Sequence, residues 1–290
     1  MFDSSNKGSA NGASVPLPPC VVGESGPLGA PKLRSAPRRQ ELSLFLLSDL
    51  FAAGYMGKSK FVRDKRLIGL AKDRKTVFTG EALDQWDLDV LLHCAMRTAA
   101  FPECTGRIHV DPGKLLRDMR LRNYEDNRDR VYSSLFRLHT GALIIVEAGR
   151  RGMVRLVERV FLDRSREHCR IEVNRGVVNA LHCARYREMT LETRADLKRC
   201  GLAKWLHGAS TIFRGGFRAE LTSLHRLCGA SNRSRYIFPG LLAKALALMA
   251  ECGVVDSWEL DGPLLKVLPS SRPGPGEAHG ELFQSSLRSR

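Results

Sequence analysis

Between residues 107 and 163 the spacing of apolar positions outlines a compact unit. Residues 107–110 form a short apolar strand, and Pro112 opens a helix that runs to about residue 120. A second helix spans about 126–140. Val131, Leu135 and Leu138 line one side of it, and Tyr132 and Phe136 extend that stripe. Gly141 ends the helix. Two apolar runs follow, 142–148 and 153–162, joined by Gly149-Arg150-Arg151-Gly152. Two short helices before an Arg-tipped hairpin are the outline of a winged helix-turn-helix.

The surrounding chain extends this unit and then repeats it. Thr76-Val77-Phe78-Thr79 reads as a strand stopped by Gly80, and 84–98 reads as a helix capped by Asp84. Trp86, Val90, Leu91 and Cys94 recur there at helical spacing, widened by Leu88, Leu92 and Ala95. After a strand at 170–173 and a connector helix at 174–183, the pattern restarts. Residues 190–207 are helical, with Leu191, Ala195, Leu202 and Leu206 inward. A short, partly extended stretch at 211–217 follows, then a helix at 219–228 and a turn at Gly229-Ala230-Ser231. The next helix runs towards Cys252 and stops at Gly253, with Pro239-Gly240 in or near its first turn. The segments 254–260 and 264–268 flank Asp261-Gly262-Pro263 as a hairpin. Both recognition helices are expected to open on the same tetrad, Asn127-Arg128-Asp129-Arg130 and Asn232-Arg233-Ser234-Arg235. The expected fold is α+β: two tandem winged helix-turn-helix domains, 75–173 and 174–269. Disordered tails are expected at 1–39 and 270–290, where Pro, Gly and Ser break any apolar period, with 40–74 as a linker.

Charge narrows the function. The net charge is +15, and residues 185–244, inside an expected folded region, hold 12 basic and 4 acidic side chains. Such a surface collects polyanions, and its patterning favours nucleic acid over membrane. No apolar run approaches the roughly 18 residues of a membrane span, and no export signal is visible, so a cytoplasmic location is expected.

The candidate DNA-binding residues follow from the two outlines. In the first they are Arg122, Asn127, Arg128, Arg130, Ser133, Ser134 and Arg137 around the recognition helix, with Arg150 and Arg151 at the hairpin tip. In the second they are Asn232, Arg233, Ser234, Arg235, Tyr236 and Lys244. Arg can pair bidentately with guanine, and Ser serves base or phosphate. A hairpin tip meets phosphate or the minor groove. Asp126 and Asp129 weaken the first helix as a DNA reader, so the second is expected to carry more of the affinity.

Other chemistry is thin. Eight cysteines include no Cys-x-x-Cys pair, and the His-Cys dipeptides at 93–94, 168–169 and 182–183 point adjacent side chains to different faces. Buried reduced thiols are expected, with no metal, no cofactor and no catalytic group. Residues 52–59 fit a relaxed P-loop pattern, Ala-Ala-Gly-Tyr-Met-Gly-Lys-Ser, but the sequence after it is not clearly an amphipathic helix. A P-loop NTPase is therefore the weakest of the alternatives.

Glu41-Leu42-Ser43-Leu44-Phe45 follows the N-terminal tail as a compact apolar peptide. It reads either as the first element of the fold or as a docking peptide, and it resembles the bacterial sliding-clamp-binding peptide, with Glu41 where Gln is usual. With Phe78-Thr79-Gly80-Glu81-Ala82-Leu83, Ala95-Met96-Arg97-Thr98, the run 221–229 and Gly253-Val254-Val255, it makes residues 40–268 resemble the TrfA-type plasmid replication initiators. That resemblance implies a protein that binds direct repeats at an origin through tandem winged helices and opens the duplex. It further implies sliding clamp, host initiator and replicative helicase as partners, and is compatible with a homodimer. A winged-helix transcriptional regulator is the main alternative, since the fold serves both.

Overall fold

Of the peptide that the sequence offered for docking, Phe45 is buried and Leu44 half-buried. The computed structural model describes residues 44–54, 60–69, 75–100, 107–147, 150–163, 168–181, 191–213, 216–230 and 234–269. Leu44–Leu46 form one helical turn, and Phe45, Leu46 and Leu47 enter the core. The chain then passes through β1 (Phe51–Ala52), which pairs in parallel with β4 (Leu83–Asp84). β2 (Phe61–Arg66) and β3 (Lys75–Glu81) come between them. Residues 44–53 and 61–69, expected in a linker, are thus built into the fold.

Helix α1 (Gln85–Ala100) is set by a reciprocal cap at its start. Asp84 Oδ1 accepts the backbone N–H groups of Trp86 and Asp87 at 2.8 and 3.3 Å, and Asp87 Oδ2 accepts that of Asp84 at 3.0 Å. β5 (Arg107–Val110), α2 (Pro112–Asp118) and α3 (Glu125–Thr140) follow. α2 starts on Asp111, whose carboxylate accepts the N–H groups of Gly113 and Lys114, with Pro112 in the first turn. Burial alone would raise the Asp111 pKa, but those two hydrogen bonds and the nearby Arg117 hold it below the usual value. Val131, Tyr132, Leu135 and Leu138 of α3 are buried, whereas Phe136, expected to extend that stripe, is 44% exposed. α3 ends against β3 because Gly141 and Gly80 carry no side chains. A Cβ on Gly141 would stand 2.8 Å from the Phe78 ring, and one on Gly80 2.8 Å from Gly141 Cα.

The run expected as one hairpin arm, 153–162, is divided. β6 (Ala142–Glu147) and β7 (Arg150–Arg155) form a hairpin that joins β3 and β2 in a four-stranded sheet of order β2-β3-β6-β7. After Leu156, β8 (Val157–Leu162) leaves for a different sheet with β9 (Cys169–Val173) and β5, of order β5-β9-β8. Leu156 and Val157 are both fully buried at this break, which is what directs the chain from one sheet to the next. The hairpin in the wing position is therefore β8–β9, and the Arg150–Arg151 tip belongs to the added sheet.

The second half is α4 (Arg175–Leu181), α5 (Leu191–Asp196), α6 (Gly201–Ile212), β10 (Phe217–Glu220), α7 (Leu221–Leu227), α8 (Phe238–Glu251), β11 (Val255–Asp261) and β12 (Leu264–Pro269). The helix expected over 190–207 is in fact two, broken at 197–200, where Lys198 has φ 50°. Helix, strand, helix, helix and hairpin recur as α1-β5-α2-α3-β8-β9 and α6-β10-α7-α8-β11-β12. The three-stranded sheets have matching orders, β5-β9-β8 and β10-β12-β11. The chain is α+β with two tandem winged-helix modules.

The modules share a core and a buried ionic brace. Arg194 of α5 is 2% exposed and binds the Asp89 carboxylate of α1 through Nε. Its Nη2 donates to Gln85 Oε1 at 2.6 Å and its Nη1 to the Lys204 carbonyl at 2.9 Å. Lys204 Nζ completes the brace at 2.5 Å from Asp89. Burial alone would raise the Asp89 pKa, yet Arg194 and Lys204 overcome it and hold the carboxyl below its ordinary value. The N-terminal segment straps the same junction: Trp205 Nε1–H donates to Ser48 O at 3.2 Å, Ala53 N–H to Cys228 O at 2.8 Å and Gln85 Nε2–H to Phe51 O at 2.7 Å.

His207, in α6, is also buried. Burial first, then Arg194, holds its pKa at about 3, although Asp89 pulls the other way. A folded-state pKa below the unfolded 6.5 means that the unfolded chain takes up the proton first. Stability from this group is complete above about pH 6.5 and is lost below it, by about 1.4 kcal/mol per pH unit towards the folded value. Denaturant unfolding across the mildly acidic range should show this slope, and His207→Leu should remove it. A variant that keeps the full slope would rule the imidazole out as its source.

Candidate nucleic-acid interface

The two modules correspond through their turns. α2 and α7 end alike: Met119 and Cys228 share φ −80° and ψ 4°, and Arg120 (φ 55°) and Gly229 (φ 69°) follow. Leu121 N–H then bonds to Leu116 O at 2.8 Å, and Ala230 N–H to His225 O at 3.2 Å. This left-handed stop turns the chain towards the recognition helix. The buried stripes align the helices themselves. Val131, Ser134, Leu135 and Leu138 of α3 correspond to Leu242, Ala245, Leu246 and Met249 of α8.

That alignment overturns the shared tetrad. Asn127–Arg130 lies within the first turns of α3, whereas α8 begins only at Phe238. Ser234, Arg235, Tyr236 and Ile237 form the turn that precedes it, and Asn232 and Arg233 lie outside the described residues. The positions equivalent to the first tetrad are Phe238-Pro239-Gly240-Leu241. Proline accounts for the offset: Pro239 sits in the first helical turn, where its missing N–H has no helical partner to lose.

Around α3 the exposed face is ordered by its own hydrogen bonds. Arg128 Nε donates to Asn123 Oδ1 at 2.6 Å, Asn127 Nδ2 to Arg122 O at 2.7 Å and Arg122 Nη1 to Tyr124 Oη at 3.1 Å. Arg130 lies 4.0 Å over the Trp86 ring. Ser133 is exposed. Two other expected contacts face inward. Ser134 is 0% exposed and donates to Asp87 Oδ1 at 2.6 Å, and Arg137 is bound to the same oxygen at 2.6 Å. They anchor α3 to the cap of α1 and are corrected from DNA-facing to structural. In α8, Lys244 is exposed at the position equivalent to Ser133, and Tyr236 is 96% exposed in the preceding turn beside exposed Ser234 and Arg235. Arg151 is exposed on β7, and the side chain of Arg150 lies outside the description.

Sequence reasoning passed over Asn123 and Tyr124, which hold Arg128 and Arg122, and it passed over Arg117 and Arg226. These two arginines are exposed at equivalent positions in the last turns of α2 and α7. A spacing of 109 residues between matching caps, Asp111 and Glu220, would have found them. In a helix-turn-helix this helix crosses the backbone. Arg117→Ala and Arg226→Ala should each weaken binding to all DNA sequences alike and lower the salt slope by about one unit. Titrations at several salt concentrations check it; a loss confined to one sequence would place these residues on bases instead. Arg128→Ala should instead relax one base position, at about 1–3 kcal/mol. Binding to a set of single-base variants reads that effect, and uniform weakening would contradict it.

Among the described residues no group of three or more His, Cys, Asp or Glu side chains is placed to hold a metal ion. Burial pushes the Cys94, Cys169 and Cys228 thiols up to about 12, so they behave as packed apolar groups. Residues 55–59 of the P-loop-like run lie outside the described residues. Among the described residues, the first element after it is the strand β2.

No protein-family model and no curated protein matches the sequence. Among solved structures, the chain is similar to the crystal structure of domains 2 and 3 of RctB, with 11% identity and a TM-score of 0.54. That match covers 80% of this chain and 98% of that one. A second structure of RctB domains 2–3 matches at 12% identity and a TM-score of 0.49, over 73% of this chain and 91% of that one. The Pi initiator protein in complex with iteron DNA matches at 8% identity and a TM-score of 0.45, over 72% of this chain and the whole of that one. The first likeness shows a shared two-domain fold; the other two, at their scores, add nothing to it.

Proposed function

We propose that this chain is a replication initiator that reads direct repeats at an origin through its two winged-helix modules and opens the adjoining duplex. The duplicated module carries the reading: two recognition helices in one chain, joined by a buried brace, can address successive major-groove faces without a second subunit. The fixed junction supports direct repeats over a palindrome, because the two readers are related by duplication rather than by a dimer axis. The net charge of +15 supplies the attraction to phosphate. Iteron-type repeats are proposed on the strength of the duplicated module and of the resemblance to TrfA-type initiators, with binding energy spent on bending and unwinding the site. The readers are unequal: α3 opens with Glu125 and Asp126, while the turn into α8 shows Ser234, Arg235 and Tyr236 with no acid. The second module should therefore bind more tightly. Selection of bound duplexes from a random library tests the proposal. A recovered direct repeat supports it; a palindrome would favour a transcriptional regulator, and no enrichment would remove sequence-specific reading altogether.

A further inference from the structure

A cavity of about 590 Å³ lies where the two modules meet, and nothing in the DNA-reading scheme requires it. Its apolar wall includes Leu121 and Ala230, the equivalent residues that follow the two helix-turn-helix stops, together with Leu202, Phe238 and Leu241. Its lining carries Arg130 from α3, Lys244 from α8, and Lys198 and Arg199 from the turn before α6, with Lys204 of α6 held by Asp89. Its acid is Asp84, whose carboxyl is engaged by the backbone of α1. Such a rim over an apolar floor suits an anion that carries a compact, uncharged body.

Two further features give that anion a place to sit. The first turn of the twelve-residue helix α6 opens on the cavity through Gly201 and Leu202, and its N-cap, Cys200, makes no side-chain capping bond. The first backbone bond of that helix is Lys204 N–H to Cys200 O, so the amides before it have no helical acceptor. Independently, the half-buried Trp86 lines the cavity with its ring beneath the guanidinium of Arg130.

We propose that this inter-module cavity binds a nucleoside phosphate, with the phosphates at the α6 start beside Lys198 and Arg199 and the base against the apolar wall and Trp86. The volume falls within the range of small-molecule sites, and a heterocyclic base offers a flat apolar face to the wall. Because Arg130 and Lys244 also belong to the DNA-reading helices, a bound nucleotide competes for the same cations. Nucleotide and DNA should weaken each other by the same factor. That coupling rests on the DNA-binding reading; occupation of the cavity does not.

The test is calorimetric titration of the full chain, without DNA, using ATP, inorganic tripolyphosphate and adenosine. ATP is expected to bind more tightly than either part alone. Lys198→Ala with Arg199→Ala should weaken ATP by about tenfold or more. Trp86→Leu should weaken ATP while leaving tripolyphosphate unchanged, a split that a folding defect would not produce. The same titrations repeated in the presence of duplex should show a reciprocal loss of affinity. No ATP binding at millimolar concentration overturns the proposal, as does equal binding of ATP and tripolyphosphate, which marks a general polyanion surface. If ATP fails while the double variant loses duplex affinity, the cavity belongs to the DNA interface. If ATP binds and duplex does not, the nucleotide site stands and the DNA reading falls.

Discussion

Replacing Arg194 with alanine is expected to cost about 3–5 kcal/mol of folding stability, because it strips a buried carboxylate of its main partner. Arg194 serves three acceptors at once: Asp89, Gln85 and the Lys204 carbonyl. Alanine leaves Asp89 with Lys204 alone and strips the buried Gln85 Oε1 of its donor, whereas the Lys204 carbonyl stays in the α6 ladder. Replacing the whole group with apolar side chains of similar volume should be far milder, since burying the charges had its own cost. Denaturant unfolding of Arg194→Ala, Asp89→Leu and the double Arg194→Met/Asp89→Leu variant separates the two situations in a mutant cycle. The brace also joins α1 to α5 and α6, so its loss should relax the distance between α3 and α8. A wild-type protein should bind paired sites at one spacing, and a viable brace variant should tolerate altered spacing. An Arg194→Ala protein within about 1 kcal/mol of wild type would show that the brace is not what holds the modules.

The brace also marks the limit of what periodicity reveals. The stripe on α3 was legible because it turns one apolar face to the core, and so was the hairpin β11–β12 around its Asp-Gly-Pro turn; α1 was legible as a helix, although residues 87–95 are buried on every side. Arg194 was not, since a lone arginine between Leu191 and Leu197 looks like any solvated side chain until the partner from another helix is known. The run 153–162 looked continuous because both of its halves are strands; only the buried pair Leu156–Val157 shows that they serve different sheets. Ser134 and Arg137 were placed on the DNA side because α3 is polar there. That polar strip is instead covered by the capped start of α1. The matching tetrads were chance in a basic chain, whereas the true repeat is carried by caps, left-handed turns and burial, which a search for identical letters does not see.

Phe45→Ala distinguishes the two readings of the N-terminal peptide, and a loss of about 3–5 kcal/mol is expected. As a docking peptide, Phe45 would be exposed, and its removal would abolish clamp capture while sparing stability and DNA binding. The structure buries Phe45 and leaves Leu44 half-buried, as the first element of the fold would be; Glu41, Leu42 and Ser43 lie outside the described residues. Phe45 is 6% exposed, and the residues after it are packed against the second module. Leu46 lies under Gly208, where a Cβ would meet its side chain at 3.3 Å, and Ser48 O accepts from Trp205. Removing the ring leaves a cavity at the junction of the modules rather than a silent surface. The expected result is therefore a destabilised protein whose DNA affinity falls together with its stability, and Phe45→Leu should recover most of both. Equilibrium unfolding and duplex binding, measured on the same samples, decide it. If Phe45→Ala unfolds like wild type and binds DNA normally but loses the clamp, the segment leaves the core in solution and docks as the sequence resemblance implied.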